Sequence, residues 1–484
     1  MNDISATSTT SGQNGRRTVV GVALCTLVVG LVLSLIGCGS AVSTATPTAS
    51  PVATISPIDE TVAPSPTLAP TPVLTPSPTP VLTPAPTPVP TPHDPTISES
   101  QVAGGTEPTI SVNPLTGDLA VAVQHIAWPK ICSRSTVSIS HDSGKTWVSG
   151  GRPWGSSCQD IHAVVAWGPN GRLWAGNAVW SSGMKMSVTY SDNFGKTWAK
   201  PYITPYTKGW VGCFPMIIVD NDPASPHYGT LYAAYNWNAG STGPGLKVMA
   251  KPLNGSWSAV EVPVVGLKGY RAHNRIGYRL EPTPDGLVVS WYESDLRVFP
   301  SDILTDGSGG NVGRRGFAVA TLSWSGATLG VKGVEWAVSV GGNSNITLDP
   351  RWQSQLAIDN GQTFLVVENG GKVDLGHRTS AGWTWKMLAT GFKPTLAASG
   401  DGVLFVGWHA MSGSSVRNLY SISYDNGATW TKPAYVDGAK WRIPSVTNGA
   451  GLRENAVYGD GSFYWAFGDT RSGSTAITVA RVRP

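Results

Sequence analysis

Short runs of alternating apolar and polar residues fill the chain from about residue 97 to its end, separated by turns rich in glycine, asparagine and proline. One unit shows the order well. The apolar run 161–167 leads into the turn 168–171, a second apolar run at 173–177, and a further alternating run at 186–190. A period of two between turn signals is typical of antiparallel strands. The pattern therefore predicts an all-β domain assembled from short strands in repeating groups.

One motif recurs three times in this domain with the pattern S-x-[DN]-x-G-x-T-W, at residues 140–147, 191–198 and 423–430. Asp or Asn at a turn bonds nearby backbone amides, Gly supplies a positive φ, and Trp packs between layers. We therefore expect each copy to be a structural hairpin turn, with degraded copies at 254–257 and 382–385. The motif residues are Ser140, Asp142, Gly144, Trp147, Ser191, Asn193, Gly195, Trp198, Ser423, Asp425, Gly427 and Trp430.

The three copies resemble the Asp-box of the sialidase-like (BNR-repeat) β-propellers. The resemblance implies blades of four antiparallel strands, and the repeat spacing of about 40 to 55 residues agrees with it. The last unit has only three strands, so the segment 97–102 would supply its fourth strand and close the ring. We expect a propeller of seven blades, with six as the alternative if the long interval 275–352 is an elaboration. First strands are expected near Glu107, Asp160, Phe214, Arg275, Trp352, Lys393 and Asn455.

The N-terminal part of the chain has the pattern of an export signal. An uncharged apolar run, 18–37, follows Arg16 and Arg17 directly, as in a positive n-region and its h-region. The sequence Leu-Ile-Gly before Cys38 resembles a bacterial lipobox, in which the chain is cut before the cysteine and that cysteine is lipidated. An uncleaved signal anchor is the alternative, since the run is long enough to span a bilayer, and a secreted form is a further one.

A stretch of Thr, Pro, Ala, Ser and Val follows, with repeats of the TPTPVP type. Such a sequence cannot bury a core and favours extended polyproline II. We therefore expect three regions: an export segment at 1–37, a disordered stalk at 38–96, and the propeller at 97–484. The propeller would be a lipid-anchored monomer on the extracellular face of the membrane.

Composition narrows the range of functions. Charged residues make up 13% of the chain and the formal net charge is +4, against roughly 25% charged residues in ordinary domains. The charge gives no reason to expect nucleic acid, and no motif indicates a cofactor or a metal. Three cysteines remain in the propeller region, for which we expect a disulfide between Cys132 and Cys158, with Cys213 free.

In the propeller expected from the resemblance, the loops before first strands and after second strands share one face. Charged and aromatic residues are concentrated in these loops, His409 among them. Aromatic rings beside charged groups suit sugars, because a ring stacks on the sugar face while charged groups bond its hydroxyls. The expected substrate-binding residues are Glu107, Trp128, Trp180, Trp237, Lys393, Trp408 and Arg471.

The resemblance also implies a catalytic set: a Tyr nucleophile assisted by Glu, an Asp acid/base, and three Arg that clamp the sialic acid carboxylate. By position, Asp160 is the acid/base and Tyr292 with Glu293 the nucleophile pair, with Glu454 beside Tyr458 or Tyr270 as an equal substitute. The clamp would be Arg275, Arg351 and either Arg453 or Arg471.

One departure from the family keeps two functions open. The Phe/Tyr-Arg-Ile-Pro motif of active sialidases has no counterpart before Ser140, and the one similar string, 441–444, follows the last Asp-box. The sequence therefore predicts a surface-tethered, exo-sialidase-like glycoside hydrolase acting on terminal sugars. The alternative is a non-catalytic propeller that binds glycans or proteins.

Overall fold

The computed structural model describes eleven segments of the chain. The chain divides into two units, 1–88 and 89–484, and every described residue belongs to the second. Within the described segments all regular structure is β, and no helix is long and apolar enough to cross a bilayer. The segments are 95–127, 132–155, 160–180, 184–204, 215–238, 244–263, 274–294, 315–340, 355–436, 454–472 and 475–484.

Seven four-stranded antiparallel sheets form the blades of a propeller. The first strand in the chain, β1 (Thr96–Gly104), belongs to the last blade. Blade 1 contains β2 (Thr106–Val112), β3 (Leu119–Ala127), β4 (Cys132–Ser140) and β5 (Val148–Ser149). Blade 2 contains β6 (Asp160–Trp167), β7 (Leu173–Trp180), β8 (Met184–Ser191) and β9 (Tyr202–Ile203). Blade 3 contains β10 (Met216–Val219), β11 (Leu231–Asn238), β12 (Pro244–Lys251) and β13 (Ser258–Val262).

The remaining blades follow the same order. Blade 4 contains β14 (Asn274–Thr283), β15 (Gly286–Ser294), β16 (Arg315–Ser325) and β17 (Thr328–Ser339). Blade 5 contains β18 (Gln355–Asp359), β19 (Gln362–Glu368), β20 (Lys372–Thr379) and β21 (Gly382–Thr390). Blade 6 contains β22 (Phe392–Ala398), β23 (Leu404–Ser412), β24 (Ser415–Ser423) and β25 (Ala434–Tyr435). Blade 7 contains β26 (Asn455–Gly459), β27 (Ser462–Asp469), β28 (Ala476–Arg483) and β1.

The prediction of seven blades is confirmed, and the 275–352 interval is a single blade with long strands. Strand β1 completes blade 7 by pairing with β28, from Thr96 opposite Arg483 to Gly104 opposite Ala476. Each first strand contacts the first strands of both neighbouring blades, so these seven strands form a closed inner ring.

The core lies between the blades, where the faces of neighbouring sheets meet. Its largest fully buried side chains include Trp167, Trp291, Trp408 and Trp465. One cluster joins blades 2, 3 and 4 through residues such as Met186 of β8. Apolar burial is thus spread around the ring, as expected for a propeller whose blades are too thin to fold singly.

The three Asp-boxes form turns between the third and fourth strands of blades 1, 2 and 6. In the first box, Ser140 Oγ donates to Asp142 Oδ1 at 2.8 Å and accepts from the Gly144 N–H at 2.8 Å. Thr146 closes the turn, with its N–H 2.9 Å from Asp142 Oδ1 and its hydroxyl 2.7 Å from Oδ2. The same bonds recur around Asp425. Around Asn193 the backbone bonds recur, but the Asn193 amide donates to the Thr197 hydroxyl instead of accepting from it.

Candidate functional site

Four of the seven inner strands carry a β-bulge near their first residues. In β2, β6, β14 and β22 the register with the second strand shifts, and one residue of each bulge has a positive φ. A bulge re-aims a side chain, and a positive φ outside glycine costs on the order of 1–3 kcal/mol. These positions are Glu107 (φ 54°), His162 (φ 57°), Gly277 (φ 68°) and Lys393 (φ 47°).

Since the starts of first strands and the ends of second strands lie at the same end of each blade, the bulges bring ionisable side chains together there. Three of the four bulge residues are ionisable, and three more ionisable groups stand beside them. We call this set the axial cluster: Glu107, His162, Glu368, Lys393, His409 and Glu454.

Lys393 is the central cation of the axial cluster. Its ammonium lies 3.8 Å from Glu454 Oε1, and its backbone N–H donates to Glu368 Oε2 at 3.2 Å. Burial lowers the pKa of Lys393, while Glu454, Glu368 and Glu107 act in the opposite direction. The bulge thus places Lys393 so that its backbone amide bonds Glu368 while its ammonium lies near Glu454.

Two histidine–glutamate pairs flank this lysine. His162 Nδ1 lies 2.5 Å from Glu107 Oε2, which links blades 1 and 2. His409 Nε2 lies 2.7 Å from Glu454 Oε2, and its Nδ1 lies 2.7 Å from Asn418 Oδ1. Both glutamates are almost fully buried. Each carboxyl group therefore has an imidazole within proton-transfer distance.

A polar chain crosses the inner ring beside the axial cluster. Arg279 of blade 4 donates from Nε and Nη2 to Gln355 Oε1 of blade 5, at 2.9 and 2.5 Å. The Gln355 amide then donates to the backbone carbonyl of Glu454 at 2.9 Å. This chain ties blades 4, 5 and 7 together and fixes the backbone that carries Glu454.

Of the predicted site residues, the structure brings Glu107, Lys393 and Glu454 together. The predicted pair Tyr292 and Glu293 lies on opposite faces of strand β15. Tyr292 is buried and packs edge-on against Phe317, whereas Glu293 accepts a hydrogen bond from Trp291 at 2.6 Å. Strand β15 has no bulge at this point, so adjacent side chains point to opposite faces. Tyr458, the substitute, lies at the far end of β26 on Phe463.

Two predicted sugar-binding residues have other roles. Trp408 is 1% exposed and packs in the core with Leu404 and Val406, which leaves no ring face for a sugar. Arg471 binds Asp469 at 2.6 Å and Glu99 at 2.8 Å. Because Glu99 lies on β1, the outermost strand of blade 7, this ion pair holds the Arg471 guanidinium toward the outer strand of the blade, and its role in the clamp stays a prediction.

The other predictions fall on residues whose side chains lie outside the described set. These are Cys38, Trp128, Cys132, Cys158, Asp160, Trp180, Trp237, Arg275, Arg351 and Arg453. Among the side chains that the structure does describe, no group of three or more His, Cys, Asp or Glu is arranged to hold a metal ion.

Sequence reasoning missed His162, Glu368 and Arg279. Glu368 ends the second strand β19, and His409 lies near the end of the second strand β23, so the loop rule that selected His409 contained the signal for Glu368. His162 sits inside an apolar run, and only the bulge turns it toward Glu107. The alternation of apolar and polar residues along β6 gave no indication that the His162 side chain faces Glu107.

No protein-family model matches the chain, and no curated protein matches it either. Solved structures similar to it include the α-L-arabinofuranosidase Arb93A of Fusarium graminearum with an iminosugar inhibitor, at 12% identity and TM-score 0.41, covering 67% of this chain and 93% of that one. Trypanosoma rangeli sialidase in complex with sialic acid is similar at 13% identity and TM-score 0.42, covering 80% and 58%. The α-L-arabinanase of Penicillium chrysogenum with arabinobiose is similar at 13% identity and TM-score 0.39, covering 67% and 93%. The seven-bladed fold follows from the strand pairing, and these likenesses add no argument to it.

Proposed function

We propose that the propeller is a glycoside hydrolase acting on terminal sugars of extracellular glycans, with the axial cluster as its active site. The observation that carries the proposal is the convergence of three carboxyl groups, those of Glu107, Glu368 and Glu454, around Lys393, which itself lies on a strained inner-strand bulge. Glycoside hydrolysis requires one carboxyl group that gives a proton and another that is ionised. Different surroundings for neighbouring carboxyl groups are how proteins separate these two roles.

The surroundings of Glu454 and Glu107 suggest which carboxyl group is ionised and which gives the proton. Glu454 lies near the Lys393 ammonium and bonds His409, so we assign it as the ionised carboxylate. Glu107 bonds His162 at 2.5 Å, and we assign it as the proton donor, with the imidazole returning the proton after each turnover. Glu368, held by the Lys393 amide, positions the bulge.

The test uses the purified full-length protein in detergent with a panel of fluorogenic glycosides, both neutral and sialylated. Glu107→Gln and Glu454→Gln should each lower kcat/KM by about 10²–10⁴-fold on the substrate that is turned over. Glu261→Gln, an exposed glutamate on the outer strand of blade 3, is the matched control and should change nothing. Full activity in both axial variants would refute the assignment.

The finer proposal is that the terminal sugar is sialic acid. It rests on the Asp-box resemblance and requires Arg275, Arg351 and either Arg453 or Arg471 as the carboxylate clamp, with Asp160 taking the acid/base role in place of Glu107. Turnover of a sialoside that disappears in Arg275→Ala and Arg351→Ala would support it. Turnover of neutral glycosides alone would refute the sialic acid proposal and would leave the hydrolase proposal standing.

A non-catalytic glycan-binding propeller is the second candidate, and the burial of Tyr292 favours it, because the expected nucleophile pair is not assembled. The two candidates separate in one experiment. Folded protein that turns over no glycoside, yet binds glycans on an array and loses binding in Glu454→Gln, would establish the binding module.

We also propose that the protein is a monomer anchored by lipid on Cys38 at the outer surface of the membrane. The sequence around Cys38 and the Thr/Pro-rich stretch after it support this location. The unchanged protein should incorporate labelled palmitate, and Cys38→Ala should not. An unchanged protein that takes up no palmitate, yet stays in the membrane fraction, would favour the uncleaved anchor.

A further inference from the structure

A groove of about 530 Å³ lies between blade 5 and the Asp-box turn of blade 6. It is far from the axial cluster, because β19 begins at the groove with Gln362 and ends at the cluster with Glu368. Seven residues of extended strand separate the two by roughly 20 Å. The groove is therefore a second place on the propeller where a small molecule could bind.

The Asp-boxes of blades 1 and 2 each contact the preceding blade through their tryptophan. In blade 1, the Trp147 indole N–H donates to Ser100 of β1 at 2.8 Å. In blade 2, the Trp198 indole N–H donates to the Gly150 carbonyl at 3.1 Å, and Phe194 packs against His141 and Trp167. The indole and the phenyl ring together fill the space between the blades.

The box of blade 6 is arranged differently. Its Trp430 indole donates to the carbonyl of Gly427 in its own turn, at 3.0 Å. The position of Phe194 is taken by Asn426, with almost the same φ (55° against 58°). The Lys386 ammonium bridges the groove to the Ala428 carbonyl at 3.3 Å. The space that the Trp198 indole and the Phe194 ring occupy in blade 2 is therefore not filled by the corresponding residues, Trp430 and Asn426, in blade 6.

The floor of the groove is apolar and flat. Phe364 and Leu375 are buried beneath it, and the His377 ring stacks on Phe364 with centroids 4.8 Å apart and planes 17° from parallel. Within the described residues, the His377 ring nitrogens and the Gln362 amide make no hydrogen bond, and the Asn426 NH₂ donates none. The Asn426 side-chain oxygen accepts a hydrogen bond from Asn360 at 3.4 Å, which leaves its NH₂ to donate to a ligand. The groove thus combines an aromatic platform with polar groups that can bond a ligand.

The two charges on the groove wall are already engaged. Asp425 accepts hydrogen bonds from Ser423 and from the amide and hydroxyl of Thr429, at 2.5–2.8 Å. Lys386 bonds the Ala428 carbonyl. A ligand in this groove therefore meets hydrogen-bonding amides and an imidazole, and no charge that needs a counterion.

We propose that this groove is a secondary binding site for a short uncharged glycan, distinct from the axial cluster. The apolar face of a sugar ring lies on the His377 ring, which Phe364 supports from beneath, and the sugar hydroxyls bond Gln362, His377 and Asn426. The volume falls within the range of about 300–1,000 Å³ that is typical of small-ligand sites. The site binds without reacting, and its existence does not depend on hydrolysis at the axial cluster.

The test measures binding of neutral and sialylated oligosaccharides to the full-length protein by calorimetry. A neutral oligosaccharide should bind, and its affinity should fall at least about tenfold in His377→Ala and in Asn426→Ala. The control Lys372→Ala changes an exposed lysine on β20 of the same blade and should leave the affinity unchanged. Glu454→Gln should also keep the binding, which separates this site from the axial cluster and from the proposed hydrolase activity.

A fourth variant closes the groove without disturbing the turn. Asn426→Phe copies the residue that fills the corresponding space in blade 2, at a backbone φ that already accepts it. It should abolish glycan binding while Tm stays the same or rises. The proposal is overturned if no neutral oligosaccharide binds, if binding survives in His377→Ala and Asn426→Phe, if Glu454→Gln removes it, or if the groove binds a peptide instead.

Discussion

At the scale of single residues, Asp142 organises its turn through its charge. The hydroxyl and amide of Thr146 donate to the two carboxylate oxygens, and these bonds above all lower the pKa of Asp142 to about 2. The pKa of an aspartate in an unfolded chain is about 3.9. Because the folded value is the lower one, Asp142 stabilises the fold above pH about 4, and that contribution is lost as the pH falls toward 2.

Asp142→Asn should remove this pH dependence while keeping the turn. The second box already uses an amide, since Asn193 Nδ2 donates to Thr197 Oγ1 at 2.8 Å where Asp142 accepts. At pH 7 the free energy of unfolding should fall by less than about 1 kcal/mol, because the turn is exposed to solvent. Urea unfolding at pH 7 and pH 2.5 measures the difference between the two proteins. A difference of equal size at both values would contradict the role of the charge.

Lys393→Met should be much more costly. The variant leaves Glu107, Glu368 and Glu454 without their central cation, and breaking a buried pair costs about 3–5 kcal/mol. The loss should be smaller at pH 4.5 than at pH 7, because the remaining carboxyl groups then bind protons. Chemical unfolding at both pH values is the measurement, with Lys372→Met, an exposed lysine, as control. Equal losses at the two pH values would mean that Lys393 matters only for packing.

At the scale of elements, the docking of a box turn on the preceding blade can be tested with two glycines. Gly195 (φ 78°) and Gly361 (φ 71°) share the left-handed conformation. A Cβ at Gly195 would overlap the Gly150 carbonyl of the preceding blade, whereas a Cβ at Gly361 would meet nothing within 4 Å.

Gly361→Ala should therefore cost about 1 kcal/mol for backbone conformation alone. Gly195→Ala should cost several kcal/mol more, since the turn must also move away from blade 1. The midpoints of urea unfolding give both values. Similar costs for the two substitutions would show that the box turn is not held against its neighbour.

The elements themselves were largely predictable from the sequence. The Asp-boxes and the spacing of the apolar runs placed all seven first strands within three residues of their observed starts. The inner-strand bulges were not predictable. A bulge interrupts the alternation of apolar and polar residues by one position. Glu107, His162 and Lys393 also have a positive φ, which is uncommon for residues other than glycine.

The site was less predictable than the fold for related reasons. Position in a loop selected Glu107, Lys393 and Glu454, which the structure brings together, because topology alone places those loops at one end of the ring. It also selected Trp408, although the period of two with Leu404 and Val406 assigns that residue to the core. The partners of the selected residues come from other blades, such as His162 for Glu107. Such contacts depend on side-chain direction, which the sequence pattern does not contain.

At the scale of the whole molecule, the ring depends on the pairing of β1 with β28. Deleting residues 96–104 should leave β28 as a bare edge, and the protein should aggregate or lose its single cooperative unfolding transition. Size exclusion and calorimetry test this, with deletion of residues 60–80 in the Thr/Pro-rich stretch as the control. A synthetic peptide of residues 95–105 should restore the transition by adding the missing strand. An unchanged transition without β1 would show that six blades and three strands suffice.

The pairing of β1 with β28 also determines when the ring can close during folding. A chain that leaves the ribosome or crosses a membrane from its N-terminus presents β1 before any other strand of the propeller, yet β28 arrives only after the other six blades. Pairing between distant segments is slow, and unpaired edges invite aggregation meanwhile. Closure of the ring by β1 and β28 is therefore the last event of folding. A propeller whose synthesis or export stops before β28 keeps two unpaired strand edges, which the pairing of β1 with β28 would otherwise cover.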